Sequence, residues 1–250
     1  IKYWGEEDRL IKLSSDDFNL RSKENNTIEW VVPDTFANPI GQIGISINSD
    51  DNVSGKILIN YLNISGTPKM TFRRPDHIDE YKRGIFYKEE VYGQLWKRAW
   101  VNDVDKWQYR HNESFKVVRG IGRGHIMTGS ETWKDYTISS KISIPLASAA
   151  GLIVRSQGLK RYYSLELTSE NKLKINKMEY ELKTLNEIDF NLEYFKDYDL
   201  KFKVDGNKLQ GYVDNQLLIE AEDSSNPFKE GMMGFLTENG AIQSNSISIE

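Results

Sequence analysis

The chain of 250 residues contains no cysteine. Disulfides, thiol nucleophiles and Cys-ligated zinc or iron–sulfur centres are therefore excluded. Histidine is scarce too: His77, His111 and His125 stand far apart at spacings that make no ligand motif, so a His-based zinc site lacks its donors. Positive charge is not in excess. With 37 acidic and 33 basic residues the formal net charge is -4, and no basic stripe emerges that would neutralise phosphates. Nucleic acid is not an expected partner. Nor is a membrane, because no apolar run approaches the ~20 residues that a spanning helix needs. The first residues, Ile1-Lys-Tyr-Trp-Gly, carry neither an initiating Met nor a signal-peptide pattern, so the chain is expected to be a piece of something longer.

Helical periodicity is also hard to find. The best stretch, Ile78–Gln94, is interrupted by Gly84 and reads as a linker with one helical turn. What the chain has in quantity is aromatic side chains, at 12%, together with many Ile, Val and Thr. Flat and β-branched side chains pack well on a pleated surface, so strands are expected. In the first part Ile28–Val32, Ile40–Ile47, Lys56–Leu62 and Met70–Arg73 alternate, and Pro33 and Pro75 end two of these runs. In the second part Thr137–Ile144, Gly151–Arg155, Tyr162–Leu167 and Lys172–Lys177 follow in close order. Then come Asp199–Val204, Leu209–Val213, Leu217–Glu220, Gly231–Leu236 and Ile247–Ile249. Asp205-Gly-Asn207 and Asp214-Asn215 are hairpin turns, since Gly and Asn accept positive φ at low cost. Strands at this spacing without intervening helices define an all-β fold of two β-sandwich (jelly-roll) domains, 1–80 and 96–250, joined by a linker over 81–95.

Several framework motifs carry a resemblance. They are Arg98-Ala-Trp-Val101, Gly122-Arg-Gly124, Trp133-Lys-Asp-Tyr136, Ala150-Gly-Leu-Ile-Val-Arg155, Arg161-Tyr-Tyr163, Val204-Asp-Gly-Asn207, Val213-Asp-Asn-Gln-Leu217 and Gly234-Phe235. With them, Trp96–Glu250 resembles the C-terminal region that follows the catalytic domain in some bacterial ADP-ribosylglycohydrolase-family proteins. More broadly, it is similar to concanavalin/laminin-G-type jelly rolls. Residues 28–75 resemble the end of a galactose-binding-like jelly roll, complete or cut short. The resemblance implies a helical catalytic domain elsewhere in the parent chain. The clustered carboxylates and paired metals of that family's active site have no counterpart in this sequence.

The most chemical group is Arg155, Arg161, Tyr162 and Glu166. On a strand, Tyr162, Ser164 and Glu166 share one face while Tyr163, Leu165 and Leu167 share the other. The apolar set reads as core, which points Tyr162 and Glu166 outward, with Arg155 beside them if Ile153 follows the outer face. Arg can bridge sugar hydroxyls through its fixed fork of donors, Tyr offers a flat face and a hydroxyl, and Glu accepts hydroxyl hydrogens. A surface Arg–Glu pair beside an ordinary Tyr is the plainer alternative. Trp133 and Tyr136 read as core, and Trp100 and Trp107 as packing between the two sandwiches. Gly120-Ile-Gly-Arg-Gly124 lacks the following helix of a phosphate loop and reads as a hairpin or bulge. Asp16-Asp17 and Asp50-Asp51-Asn52 are candidates to contribute to a structural calcium site, with exposed turn acids as the alternative. Glu166 with Glu238 is the conceivable glycosidase pair. The expected function is non-catalytic binding of a carbohydrate or glycoconjugate. A sandwich glycosidase and a structural module packing on a catalytic domain compete with it.

Overall fold

The computed structural model describes residues 1–5, 9–35, 38–49, 54–64, 66–73, 95–108 and 114–250. Apart from a 3₁₀ turn at Leu95–Ala99, every regular element among them is a strand. The first three, β1 (Lys2–Trp4), β2 (Leu10–Lys12) and β3 (Ile40–Gln42), form a small antiparallel sheet in the order β2-β1-β3. Residues 28–32 and 56–62, expected as strands, have no regular structure, and Val31 and Leu58 are almost wholly exposed. Apolar alternation yields a strand only where a neighbouring edge and a covering layer are available. Among the described residues neither segment has one. The linker expected at 81–95 lies outside the described residues except for Leu95, as do His77 and His111.

β4 (Met70–Arg73), expected as a strand within residues 1–80, is an edge strand of the larger sheet. It pairs with β17 (Ser246–Ile249), with Phe72 opposite Ile247. Buried Phe72 meets Trp100 edge-on at 5.7 Å. This apolar contact packs β4 onto the larger sheet.

The larger sandwich has two layers. The front layer runs β12 (Glu181–Asp189), β11 (Lys172–Glu179), β10 (Arg161–Thr168), β9 (Ala149–Gly158) and then the first half of β16 (Met232–Ser244). The back layer runs β15 (Gln216–Glu222), β14 (Lys208–Val213), β13 (Asp197–Asp205) and β8 (Tyr136–Leu146), which pairs with the second half of β16. β16 therefore serves both layers. So does its partner β7 (Phe115–Thr128), which carries β5 (Trp100–Asn102) at one end and β6 (Lys106–Gln108) at the other. Both long strands change layer at irregularities: Gly122 (φ 73°) in β7, and Asn239 (φ 48°) at the register shift in β16. The Gly122 amide donates to Asn239 Oδ1 at 2.7 Å. The glycine-rich segment is thus the bulge that its sequence suggested, and it bends the sheet rather than cradling a phosphate.

Alternation fills the space between the layers. Tyr163, Leu165 and Leu167 of β10 face Leu200, Phe202 and Val204 of β13 and Leu209 of β14 in one core. Contact between layers is close. A Cβ on Gly211 of β14 would come within 2.5 Å of Leu165 Cδ1, so a larger residue there would have to displace the Leu165 side chain. Trp96, Trp100, Trp107, Phe115 and Phe235 form an aromatic cluster at one end of this core, with ring centroids 5.1–6.1 Å apart. Trp100 is buried in this sandwich and Trp107 packs against its core, and Phe72 meets Trp100. Each fully buried aliphatic in the core contributes on the order of 1.5–3 kcal/mol.

Candidate functional site

The outer face of the front layer carries a second, small apolar cluster of Ile153, Tyr162 and Leu236, with Met178 packed on it. The face alternation expected for β10 holds, since Tyr162, Ser164 and Glu166 lie opposite the main core. Exposure does not follow, because Tyr162 and Glu166 are each only 1% exposed. The reason is that the Arg123 side chain lies across Glu166 beside Tyr162. Arg123, projecting from β7, reaches Glu166 on β10 with both terminal nitrogens, 2.8 Å from each carboxylate oxygen. Its Nε sits 2.8 Å from Glu238 of β16. Such a bidentate pair is among the stronger charge-assisted contacts. Arg123 and Glu238 keep 17% and 28% of their side chains exposed, so the buried pair ends in a polar rim.

The electrostatics follow from this geometry. Burial alone would raise the Glu166 pKa, but hydrogen bonds and charge from Arg123, with help from Ser164 and Asn176, hold it below its ordinary 4.5. Burial works against the Arg123 charge as well, and the Glu166 bonds outweigh it, so Arg123 stays protonated. Burial raises the Tyr162 phenol, opposed by Arg123.

Two more groups complete the cluster. Arg119 lies 3.3 Å from Asp105 and 3.6 Å from Asp103, and the Gly120 amide donates to Asp105 Oδ2 at 2.7 Å. The Arg119 side chain passes over Gly124, where a Cβ would meet its Cδ at 3.0 Å. His125, two residues beyond Arg123 on the same strand face, is 3% exposed with its ring 5.4 Å from that of Tyr162. Neither of its nitrogens has a hydrogen-bond partner among the described residues. Burial lowers its pKa, Asp103 raises it, and Arg123 and Arg119 lower it further.

The four residues expected to form one site are thus divided. Tyr162 and Glu166 belong to the Arg123 cluster. Arg155 does not lie beside them, although Ile153 does follow the outer face as that reading required. A backbone bulge at Arg155 (φ 48°), where the β9–β10 register shifts, turns the side chain away. Its guanidinium donates instead to the main-chain carbonyls of Lys134, Gly206 and Phe228 and to Asp135 Oδ1 at 2.7 Å. Arg155 therefore ties loops together and has no fork left for a ligand. Arg161 also stands apart, on the Phe228 ring at 4.7 Å and beside Glu179 at 3.1 Å. Tyr136 is core, as expected, and its hydroxyl accepts the Arg155 amide at 2.6 Å. Trp133 packs against the same core.

Sequence reasoning passed over Arg123, which sits in the stretch treated only as a glycine-rich bulge, and weighed His125 only as a metal ligand. The available signal was their alternation with Gly124 and Ile126, which sets 123 and 125 on the face away from the core. Among the described residues no group of three His, Cys, Asp or Glu is placed to hold a metal ion. Asp16 and Asp17 are exposed, while Asp50-Asp51-Asn52 lies outside the described residues. No helix of the described residues is long and apolar enough to cross a membrane.

No protein-family profile matches the chain, and no curated protein matches it. Solved structures do. A carbohydrate binding module, CBM66 from Bacillus subtilis, aligns with a TM-score of 0.55 and 23% identity, covering 61% of this chain and 95% of that one. A Bacillus subtilis protein of unknown function with a galectin-like fold aligns with a TM-score of 0.50 and 10% identity, covering 62% and 90%. At these identities the likeness concerns the fold. This chain carries an all-β jelly-roll sandwich of the kind found in carbohydrate-binding-module and galectin-like structures.

Proposed function

We propose that the sandwich formed by residues 96–250 and β4 binds a carbohydrate on the outer face of its front layer. Arg123 and Glu238 form the contact rim above Glu166 and Tyr162. The observation that carries this reading is the arginine held between two carboxylates and still partly open to solvent. A preorganised arrangement of donors and acceptors at a rim suits hydroxyl groups, which both donate and accept. The solved structures sharing this fold include a carbohydrate binding module, which supports the reading by analogy of fold.

Catalysis is disfavoured by the same geometry. Glycoside hydrolysis by two carboxylates needs one acid kept protonated by a raised pKa. Glu166 is held ionised by Arg123 instead. The resemblance of Trp96–Glu250 to the region after an ADP-ribosylglycohydrolase domain supports a parent protein with a helical hydrolase domain, to which this sandwich, and a separate unit within residues 1–80, would be accessory.

The test is a glycan array followed by calorimetry on hits, comparing the wild type with Glu238→Ala. The expected result is binding to a subset of glycans that weakens about tenfold in the variant, a loss of about 1.4 kcal/mol, with little change in melting temperature. Retention of no glycan at high protein concentration, or equal affinity in the variant, would overturn it.

A further inference from the structure

The outer-face cluster contains more acid than base. Asp103, Asp105, Glu166 and Glu238 stand against Arg119 and Arg123. The one lysine beside it by register, Lys174 opposite Glu166, is occupied by Glu170 at 3.1 Å and Glu187 at 3.5 Å. Arg123 has no unused edge for an anion. Its Nε faces Glu238 and its two terminal nitrogens face Glu166. An incoming carboxylate, sulfate or phosphate would meet a net negative rim and an already paired guanidinium. A hydroxyl group would find free lone pairs on carboxylates to donate to.

Beneath that rim lies an unmet demand. A buried imidazole with two unpaired nitrogens costs free energy that native structures rarely leave uncompensated. His125 is in this condition, while Arg119 and Asp103, which bear on its charge, are both at the edge of solvent.

Building on the carbohydrate reading above, we propose that the ligand is a neutral sugar, with anionic sugars rejected, and that one of its hydroxyls bonds to His125 at the floor of the cluster. Neutral imidazole suits this role because one nitrogen donates and the other accepts, matching the two capacities of a hydroxyl. His125 is then a specificity-determining residue of the site. The carboxylates set the charge class that enters, and the imidazole fixes the hydroxyl that reaches deepest.

The experiment measures affinity for neutral hexose polymers (a glucan, a mannan, a galactan) against their anionic counterparts, polygalacturonate and alginate. It uses the wild type, His125→Phe and His125→Gln, with thermal melting of each protein in parallel. Neutral polymers should bind, with the anionic ones at least tenfold weaker. His125→Phe should weaken neutral binding about tenfold while its melting temperature stays level or rises, since an unpaired polar group has left the interior. His125→Gln, which keeps a donor and an acceptor, should retain part of the affinity and serves as the test if the Phe variant does not fold. Anionic polymers binding as tightly as neutral ones, or both His125 variants binding like the wild type, would overturn this inference and leave the carbohydrate reading standing. Binding to no polymer or array glycan would remove both.

Discussion

Inside the sandwich, Lys177 places its ammonium 2.7 Å from Asp223, 2.7 Å from the Asn226 carbonyl and 3.3 Å from Glu179. Asp223 also receives the Tyr163 hydroxyl at 2.6 Å, and that hydroxyl in turn accepts the Phe228 amide. Every donor of the ammonium is engaged. On the outer face, Arg123, Glu166 and Glu238 are as deeply engaged with one another, yet His125 beside them has two nitrogens without partners among the described residues. Both networks bury charge, which is costly unless pairing is nearly complete. The closed one reads as framework. The one that is left short by an imidazole and reaches solvent through Arg123 and Glu238 reads as a place for something else to complete. Satisfaction, more than residue type, separates the two.

The comparison breaks most visibly at its strongest point. Lys177→Met removes the cation and leaves the Asp223 carboxylate buried without its partner, a loss of about 3–5 kcal/mol. Urea denaturation should show this as a large fall in midpoint. The variant that remains folded at low temperature should bind glycan like the wild type. A glycan affinity that falls with it would mean that the two networks are not separate in function. Tyr136→Phe comes next. It strips the hydroxyl that accepts the Arg155 amide at 2.6 Å and faces the Gly231 and Met232 carbonyls, and it should cost about 1–3 kcal/mol.

Acid separates the networks by where stability is lost. His125 has a lowered pKa, so the unfolded chain takes up its proton first as pH falls below about 6.5, and stability begins to decline there. Glu166 and Asp223 are also lowered from their ordinary 4.5 and 3.8. Their contribution is fully present above those values and is lost as pH drops further. The urea midpoint should therefore fall in two stages, one starting near pH 6.5 and one below about 4.5. His125→Phe should shrink the first stage and leave the second. An unchanged first stage would show that His125 is not its source.

Much of this architecture was readable from local chemistry. Asp205-Gly206 and Asp214-Asn215 are hairpin turns in the structure, with φ of 57° at Gly206 and 50° and 64° at Asp214 and Asn215, because those residues tolerate the left-handed region. The alternation of Tyr162 to Leu167 assigned both faces of β10 correctly, since period two needs no knowledge of neighbours. Other features required the fold. The Arg155 bulge inverts a side chain through a single backbone angle that nothing in Ala150-Gly-Leu-Ile-Val-Arg155 announces. Burial of Glu166 depends on Arg123 arriving from a strand 43 residues earlier. The apolar runs at 28–32 and 56–62 had the right pattern and no partner strand among the described residues, and pattern alone does not supply one.

The smallest expected effect sharpens the division most finely, because Arg161 was grouped with Tyr162 and Glu166 by sequence and lies with the framework by geometry. Its guanidinium is 3.1 Å from Glu179, 3.3 Å from the Gln157 side chain and 4.7 Å from the Phe228 ring centroid. About a third of the side chain is exposed, as is that of Glu179, so solvent screens the pair. An exposed ion pair contributes about 0.2–1 kcal/mol and an exposed cation–π contact about 0.5–1 kcal/mol. Arg161→Ala should thus lower stability by about 1 kcal/mol and leave calorimetric glycan affinity within about twofold of wild type. A tenfold loss of affinity would return Arg161 to the ligand site. The boundary between closed and open networks would then run through β10 itself, between residues 161 and 163, rather than between the interior and the outer face.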